Sequence, residues 1–378
     1  QSADLSAFYF VATNQAFFLK NFWKRGLKAY EQGKTEAPYA YVIPAGQKDP
    51  QDTAYLVNIL LKQKIEVHRA TGAITVGESS FPDGSFVVRM DQPYRNLAIN
   101  LLSRQDYPED APRSYDDTGW TLGLHMDVET VKVDDEAILN AAMTPITEPV
   151  RPAGRVVGGR ATGAYLINHG TVNALITARM KLADFTALAA EEGFQAEGRE
   201  LDAGSLIFPV AEASSNLHDA VASMAKEQGL EVFAASSLPD VATHELEVPR
   251  LAVFHTWHST QDDGWVRYAL DQLEVPYDMI HKDHVRAGDL ESKYDVILLS
   301  NARGDTAADI INGVDPEKWG PLAFVKSEEF EHLGTPDSAE DITGGMGVDG
   351  VRHLQQFVEN GGLLLALHNM VRVPVELG

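Results

Sequence analysis

Arg250-Leu-Ala-Val-Phe-His255, Tyr277-Asp-Met-Ile-His281, Tyr294-Asp-Val-Ile-Leu-Leu-Ser300 and Gly362-Leu-Leu-Leu-Ala-Leu-His368 are short runs dominated by apolar residues. Amphipathic stretches separate them, notably Asp263-Gly-Trp-Val-Arg-Tyr-Ala-Leu-Asp-Gln-Leu273 and the segment from Val348 to Glu359. Apolar runs without polar alternation read as strands buried on both faces, and helices between them predict a parallel sheet covered on both sides. Residues 249–378 are therefore expected to form one doubly wound domain. The stretch from Gly304 to Gly345 shows no periodicity and reads as a functional or packed surface loop.

Upstream the alternation continues, which points to an α/β layer architecture. Tyr39-Ala-Tyr-Val-Ile-Pro44 reads as a buried strand. Asp49-Pro50 supplies an N-cap and a first-turn proline for a helix through Leu56-Val-Asn-Ile-Leu-Leu61. Ile65 to Arg69 returns as a strand, Pro82-Asp83-Gly84 turns into the strand Ser85 to Met90, and a helix runs from Pro93 through Leu102. The same unit recurs. Ala40-Tyr-Val-Ile-Pro44 matches Ala164-Tyr-Leu-Ile-Asn168, Asp83-Gly-Ser-Phe-Val-Val88 matches Ala203-Gly-Ser-Leu-Ile-Phe208, and Asn96-Leu97 matches Asn216-Leu217. A four-residue loop deletion accounts for the drift between the first match and the others. Two copies of one β-α-β-hairpin-α unit are expected, in 35–150 and 151–248; chance similarity of two ordinary α/β segments is the alternative.

Residues 1–34 read as one helix ending at Gly33, with Phe8, Val11, Phe18, Leu19 and Phe22 at helical spacings. Tyr9, Phe10, Phe17 and Trp23 widen the apolar face. Neighbours such as Phe17 and Phe18 project about 100° apart, so the helix is apolar on more than one side and needs cover from more than one body. Several of these aromatics are expected to be exposed in the isolated chain. Both chain ends read as cut, which suggests a piece of a longer protein.

Across 378 residues, 55 acids outnumber 31 bases, for a formal net charge of −24. That balance repels phosphates and disfavours nucleic acid and anionic membrane surfaces as partners. No apolar run approaches the roughly 18–20 residues of a membrane span, so no membrane insertion is expected. The chain has no cysteine. Disulfides, thiol nucleophiles and cysteine-held metals are thereby excluded.

The densest polar cluster is His255-Thr-Trp-His258 with Asp262 and Asp263. It follows the first strand of the C-terminal sheet, where ligands bind in doubly wound folds. His255, His258 and Asp263 have the chemistry to hold a divalent metal. Alternatively, Asp262 or Asp263 caps a helix beginning at Gly264-Trp265 and the histidines satisfy loop backbone. Arg303, in Asn301-Ala-Arg-Gly304, is a candidate grip for a carboxylate or simply neutralises acidic surface. Gly344-Gly345-Met-Gly347 precedes a helix and offers either an anion nest or packing clearance. His281-Lys-Asp-His284 reads as an ordinary solvated turn. His244-Glu-Leu-Glu247 has the His-x-x-Glu spacing of a zinc site, but lies in an alternating, strand-like stretch that runs into Pro249.

Taken as a set, several phrases resemble the C-terminal region of large bacterial secreted proteins. They are Pro38-Tyr-Ala-Tyr-Val-Ile-Pro44, Gln92-Pro-Tyr94, Tyr115-Asp-Asp-Thr-Gly-Trp-Thr-Leu122 and Asn168-His-Gly-Thr171. Further on come Ser259-Thr-Gln-Asp-Asp-Gly-Trp-Val-Arg267, Gly334-Thr-Pro-Asp337 and Glu340-Asp-Ile-Thr-Gly-Gly-Met-Gly347. Those proteins carry an N-terminal zinc carboxypeptidase domain of the carboxypeptidase A type and end in a class I glutamine-amidotransferase-like fold.

The resemblance covers nearly the whole chain but excludes the peptidase domain, whose last helix residues 1–34 would be. It implies two pseudo-repeated α/β units followed by a truncated flavodoxin/amidotransferase-like parallel-sheet domain at 249–378. It also implies a secreted or periplasmic location, and zinc in the missing peptidase domain with no cofactor in this chain. The missing domain, or another protein surface, is the expected partner of the first helix, and a peptide is a possible substrate. An amidotransferase glutaminase needs a cysteine after the strand ending near His368; Leu367-His368-Asn369 stands there, so that chemistry is excluded. Three functions follow: a non-catalytic accessory region for domain packing or substrate presentation, a small-molecule or peptide binding module at the C-terminal sheet edge, and a metal-dependent hydrolase at His255 and His258.

Overall fold

The computed structural model describes residues 2–106, 108–111, 119–211 and 215–377. Tyr115 to Thr118, in one of the phrases quoted above, lie outside the described residues. The chain divides into two compact units, 1–160 with 167–172 and 222–234, and 161–166 with 173–221 and 235–378.

The first helix is two. α1 (Ser2–Thr13) and α2 (Gln15–Thr35) meet at Asn14, whose backbone leaves the helical region and whose side-chain amide donates to the Phe10 carbonyl. The expected single helix breaks because Thr13 and Asn14 both turn side chains onto nearby backbone, competing with helix propagation. Only the C-terminal part of α2 docks. Ala29 is buried, and Gly33 lies so close to the Met90 carbonyl that an added Cβ would sit 1.9 Å from it.

Next come β1 (Ala40–Ile43), α3 (Pro50–Lys62), β2 (His68–Ala70), the hairpin β3 (Ile74–Val76) and β4 (Ser79–Phe81), and β5 (Phe86–Arg89). α4 (Arg95–Leu102), α5 (Leu122–His125), β6 (Val131–Val133) and β7 (Met143–Pro145) complete this part. The five-stranded sheet runs β6-β1-β5-β2-β7, with every neighbouring pair antiparallel. β5 lies between β1 and β2, and β1 between β5 and β6, so each β-α-β crossover is split by the other. β1 is apolar throughout because both faces are covered. Tyr41 and Ile43 join the core of α3 and α4, while Ala40 and Val42 join Ile74, Phe81 and Ile138.

A second run of elements follows: β8 (Arg155–Val157), β9 (Ala164–Ile167), α6 (Ala174–Lys181), β10 (Leu188–Ala190), the hairpin β11 (Phe194–Ala196) and β12 (Arg199–Leu201), and β13 (Leu206–Pro209). α7 (Leu217–Gln228), β14 (Glu231–Ala235) and β15 (Thr243–Glu245) close it. Its sheet runs β15-β10-β13-β9-β14-β8. Apart from the added β8, the order by position equals that of the first sheet. The turns agree as well. Gly84 and Gly204 stand at φ +84° and +85°. Their N–H groups donate to Ala70 and Ala190, and Ser85 and Ser205 each donate a hydroxyl hydrogen bond of 2.7 Å to the carbonyl three residues earlier.

The last region is a four-stranded, all-parallel sheet. β16 (Leu251–Phe254), α8 (Thr260–Gln272), β17 (Asp278–Ile280), α9 (Lys282–Ala287) and β18 (Val296–Leu299) lead into α10 (Ala307–Asn312) and α11 (Pro316–Trp319). α12 (Gly347–Glu359), β19 (Leu363–Ala366) and α13 (Arg372–Leu377) end it. The order is β17-β16-β18-β19. Thus the chain moves outward from β16 in one direction, then in the other, and the direction of winding reverses between β16 and β18. Two expectations need correction. The stretch from Gly304 to Gly345 contains the short helices α10 and α11. Coverage is also one-sided at β19. Leu364 and Ala366 pack on the core with Val285, Ile310, Leu354 and Phe357, whereas Leu363 and Leu365 on the alternate face are exposed, β19 being an edge strand.

Candidate functional site

Parallel strands send their C-terminal ends to one edge, so loops of different sequence origin converge there. A cleft of about 730 Å³ opens at that edge. Its walls come from Phe254 to His258 after β16, Ala302 to Asp305 after β18, Lys282 at the start of α9, the α10–α11 segment through Trp319 and Leu322, and Gly344 to Met346 before α12. His255, His258, Arg303 and Gly345, far apart in sequence, all line it. Asp263 does not.

His255 is buried, and its Nε2 lies 3.0 Å from the Asp337 carboxylate. Trp257 Nε1 donates to the Asp337 backbone carbonyl at 3.2 Å, and His281 Nε2 stands 4.0 Å from the same carboxylate. Asp337 therefore fastens the long segment onto the strand ends. His258 instead faces backbone, with Nε2 3.1 Å from the Ile342 carbonyl. Burial, and next the adjacent His284, hold the His281 pKa below its ordinary value despite the pull of Asp337 and Asp283. Asp341 secures the other end of the segment, accepting from Thr343 N–H and hydroxyl and from Leu322 N–H, which lowers its pKa.

Gly345 serves close packing. An added Cβ would lie 2.3 Å from the Ile311 carbonyl oxygen, and one on Gly313 would lie 2.3 Å from the Gly344 oxygen. Asp263 is buried in the first turn of α8 and accepts from Arg267 Nε at 2.9 Å. Neither Asp262 nor Asp263 caps a helix at Gly264: α8 starts at Thr260, and Asp262 accepts from the Asn301 side-chain amide. The expected solvated turn at His281–His284 is likewise corrected. The His281 ring caps α9 by accepting from Asp283 N–H, the His284 ring accepts from the His281 backbone N–H, and Lys282 is buried with Nζ 3.2 Å from both Asp283 oxygens.

Among the described residues no three His, Asp or Glu side chains are grouped as a metal ion needs. The partners of His255, His258 and Asp263 are those already given, and they point the three groups to different places. His244, on β15, is exposed and lies 3.5 Å from Glu191. His368 follows β19 with φ +49°, a conformation uncommon outside glycine, and its Nε2 is 3.8 Å from Asp262. Sequence reasoning gave no cleft role to Lys282, Asp309, Asp315 or Trp319, which line it, nor to Asp337, which holds His255 behind it. Lys282 carried a local signal, the capping pattern around it.

Comparison with protein-family models, curated proteins and solved structures finds no match to this chain. Among the described residues no helix is long and apolar enough to cross a membrane.

Proposed function

We propose that this chain is a non-catalytic accessory region of a secreted or periplasmic metallocarboxypeptidase-like protein, as its sequence resemblance implies. In this reading the first helices are covered by the zinc-bearing peptidase domain of the parent. The observation that supports it is exposure: Phe8, Tyr9, Phe10, Phe17, Phe22 and Trp23 are each more than half exposed. Burying one such side chain stabilises by about 1.5–3 kcal/mol, so a face of this size calls for a partner. The matching strand orders and turn hydrogen bonds support descent of the first two sheets from one duplicated unit. The parallel order of β16 to β19 supports a flavodoxin/amidotransferase-like end domain.

Hydrogen–deuterium exchange tests the accessory reading, comparing this chain with the longer polypeptide that carries the peptidase domain. Residues 2–28 are expected to gain protection in the longer protein. Equal exchange in both overturns it.

A second reading is favoured by the cleft itself. A pocket of this size at the point where the winding reverses has the place and dimensions of a small-molecule site. The end domain then acts as a binding module of the accessory region.

A further inference from the structure

Most charged groups around the cleft are already engaged. Asp309 accepts from the Thr306 hydroxyl and N–H, Asp315 caps α11, and Lys282 faces Asp283. Arg303 differs. Among the described residues its guanidinium has no hydrogen bond and no ion pair, in a chain where 55 acids were available to take it. Thr256 Oγ1, also on the cleft wall, is buried without a hydrogen-bond partner. A buried hydroxyl left unpaired costs free energy comparable to a lost hydrogen bond, which a bound polar group would restore. The same cleft is lined by large apolar surfaces: Trp319 is 59 % exposed and Leu322 37 %.

Resting on the reading of the cleft as a ligand site, we infer that it takes a small monocarboxylate with an aromatic or aliphatic body. The carboxylate pairs with the Arg303 fork, whose planar donors match two carboxylate oxygens. The body lies on Trp319 and Leu322, and Thr256 meets a polar group of the ligand. Charge narrows the class. Asp305, Asp309 and Asp315 line the same cleft as Lys282, Lys318 and Arg303, three charges of each sign, so the cleft has no cationic excess to hold a polyphosphate, while a single carboxylate at Arg303 is matched.

The test is an NMR shift titration of the full chain with N-acetyl-L-phenylalanine and, separately, with its uncharged amide. The acid is expected to bind at least about tenfold tighter than the amide. Arg303→Gln should reduce the acid to the affinity of the amide, and Arg303→Lys should recover part of the difference. Arg303 is exposed and unpartnered, so both variants should melt like the parent chain. If acid and amide bind alike, the carboxylate assignment fails while the cleft remains a ligand site. If neither moves cleft resonances at millimolar concentration, both readings fail. A preference for the acid that survives in Arg303→Gln removes Arg303 from the site.

Discussion

The sheet of β1, β2, β5, β6 and β7 and the sheet of β16 to β19 are both centred on apolar strands, yet they use their polar residues differently. In the first, neighbouring strands are antiparallel, so strands adjacent in the sheet send their following loops to opposite edges. Its buried polar groups are spent on structure: the Gln92 side chain bonds the Glu66 backbone at both ends, Arg89 grips Asp91, and Arg95 holds the carbonyls of Glu36 and Ala37. In the second, every strand is parallel, and His255, His281, Asn301 and His368 all follow strand ends at one edge. Topology, more than composition, decides which sheet collects side chains around a cleft.

Emptying one core at a time gives the largest effects. Phe357 is fully buried, with Gly362 so close that an added Cβ would lie 2.3 Å from its ring. Phe357→Ala is expected to cost about 3–5 kcal/mol in urea unfolding, and Leu60→Ala in the antiparallel region about 2–5 kcal/mol. A loss below about 1 kcal/mol at either site would show that its sheet is not packed as described.

Glycine substitutions separate close approach from backbone conformation. Gly345→Ala pushes a methyl group into the Ile311 backbone and should cost about 1–3 kcal/mol or more, with shifts in cleft resonances. Gly84→Ala meets nothing within 4 Å and should cost only the left-handed penalty of about 1–2 kcal/mol. Gly204, at nearly the same φ, should behave like Gly84. Clearly unequal thermal shifts for those two would weaken the duplication argument.

Acid sensitivity tests whether burial acts alike in both sheets. His68 is held below its ordinary pKa of 6.5 first by burial and then by Arg89, and His281 by burial and then by His284. With a folded pKa below the unfolded one, the native state binds fewer protons over that interval. The stability from each histidine is complete above about pH 6.5 and declines as pH falls toward the folded value. His68→Gln and His281→Gln should each flatten the decline between about pH 7 and 5, read from melting curves. A parent chain that becomes more stable over that range contradicts the assignment.

The smallest expected effect is that of Arg303→Gln on stability, within about 0.5 kcal/mol, because nothing in the fold depends on that guanidinium. A larger loss in urea unfolding would mean that Arg303 has a structural task.

Strand positions were legible from local pattern. The apolar runs at 40–43, 251–254 and 296–299 follow from burial on both faces, and the Gly84 and Gly204 turns from their surrounding residues. Several local interpretations failed where a tertiary partner intervened. Asp263 looks like a cap until Arg267, one turn on, takes its carboxylate, and His281 looks solvated until α9 and the segment bearing Asp337 close around it.

From the sequence alone came the acidic character of the chain, the absence of thiol chemistry, the α/β alternation and the over-apolar first helices, because composition and periodicity are local properties. Only the tertiary structure decided that strands of the first sheet interleave antiparallel. Only it brought Asp337 to His255 across 82 residues, and set Arg303, unpaired among the described residues, in one cleft with Thr256 and Trp319. Long-range pairing and the orientation of a side chain depend on loop closure and on which neighbours compete for each polar group, and no local spacing encodes either.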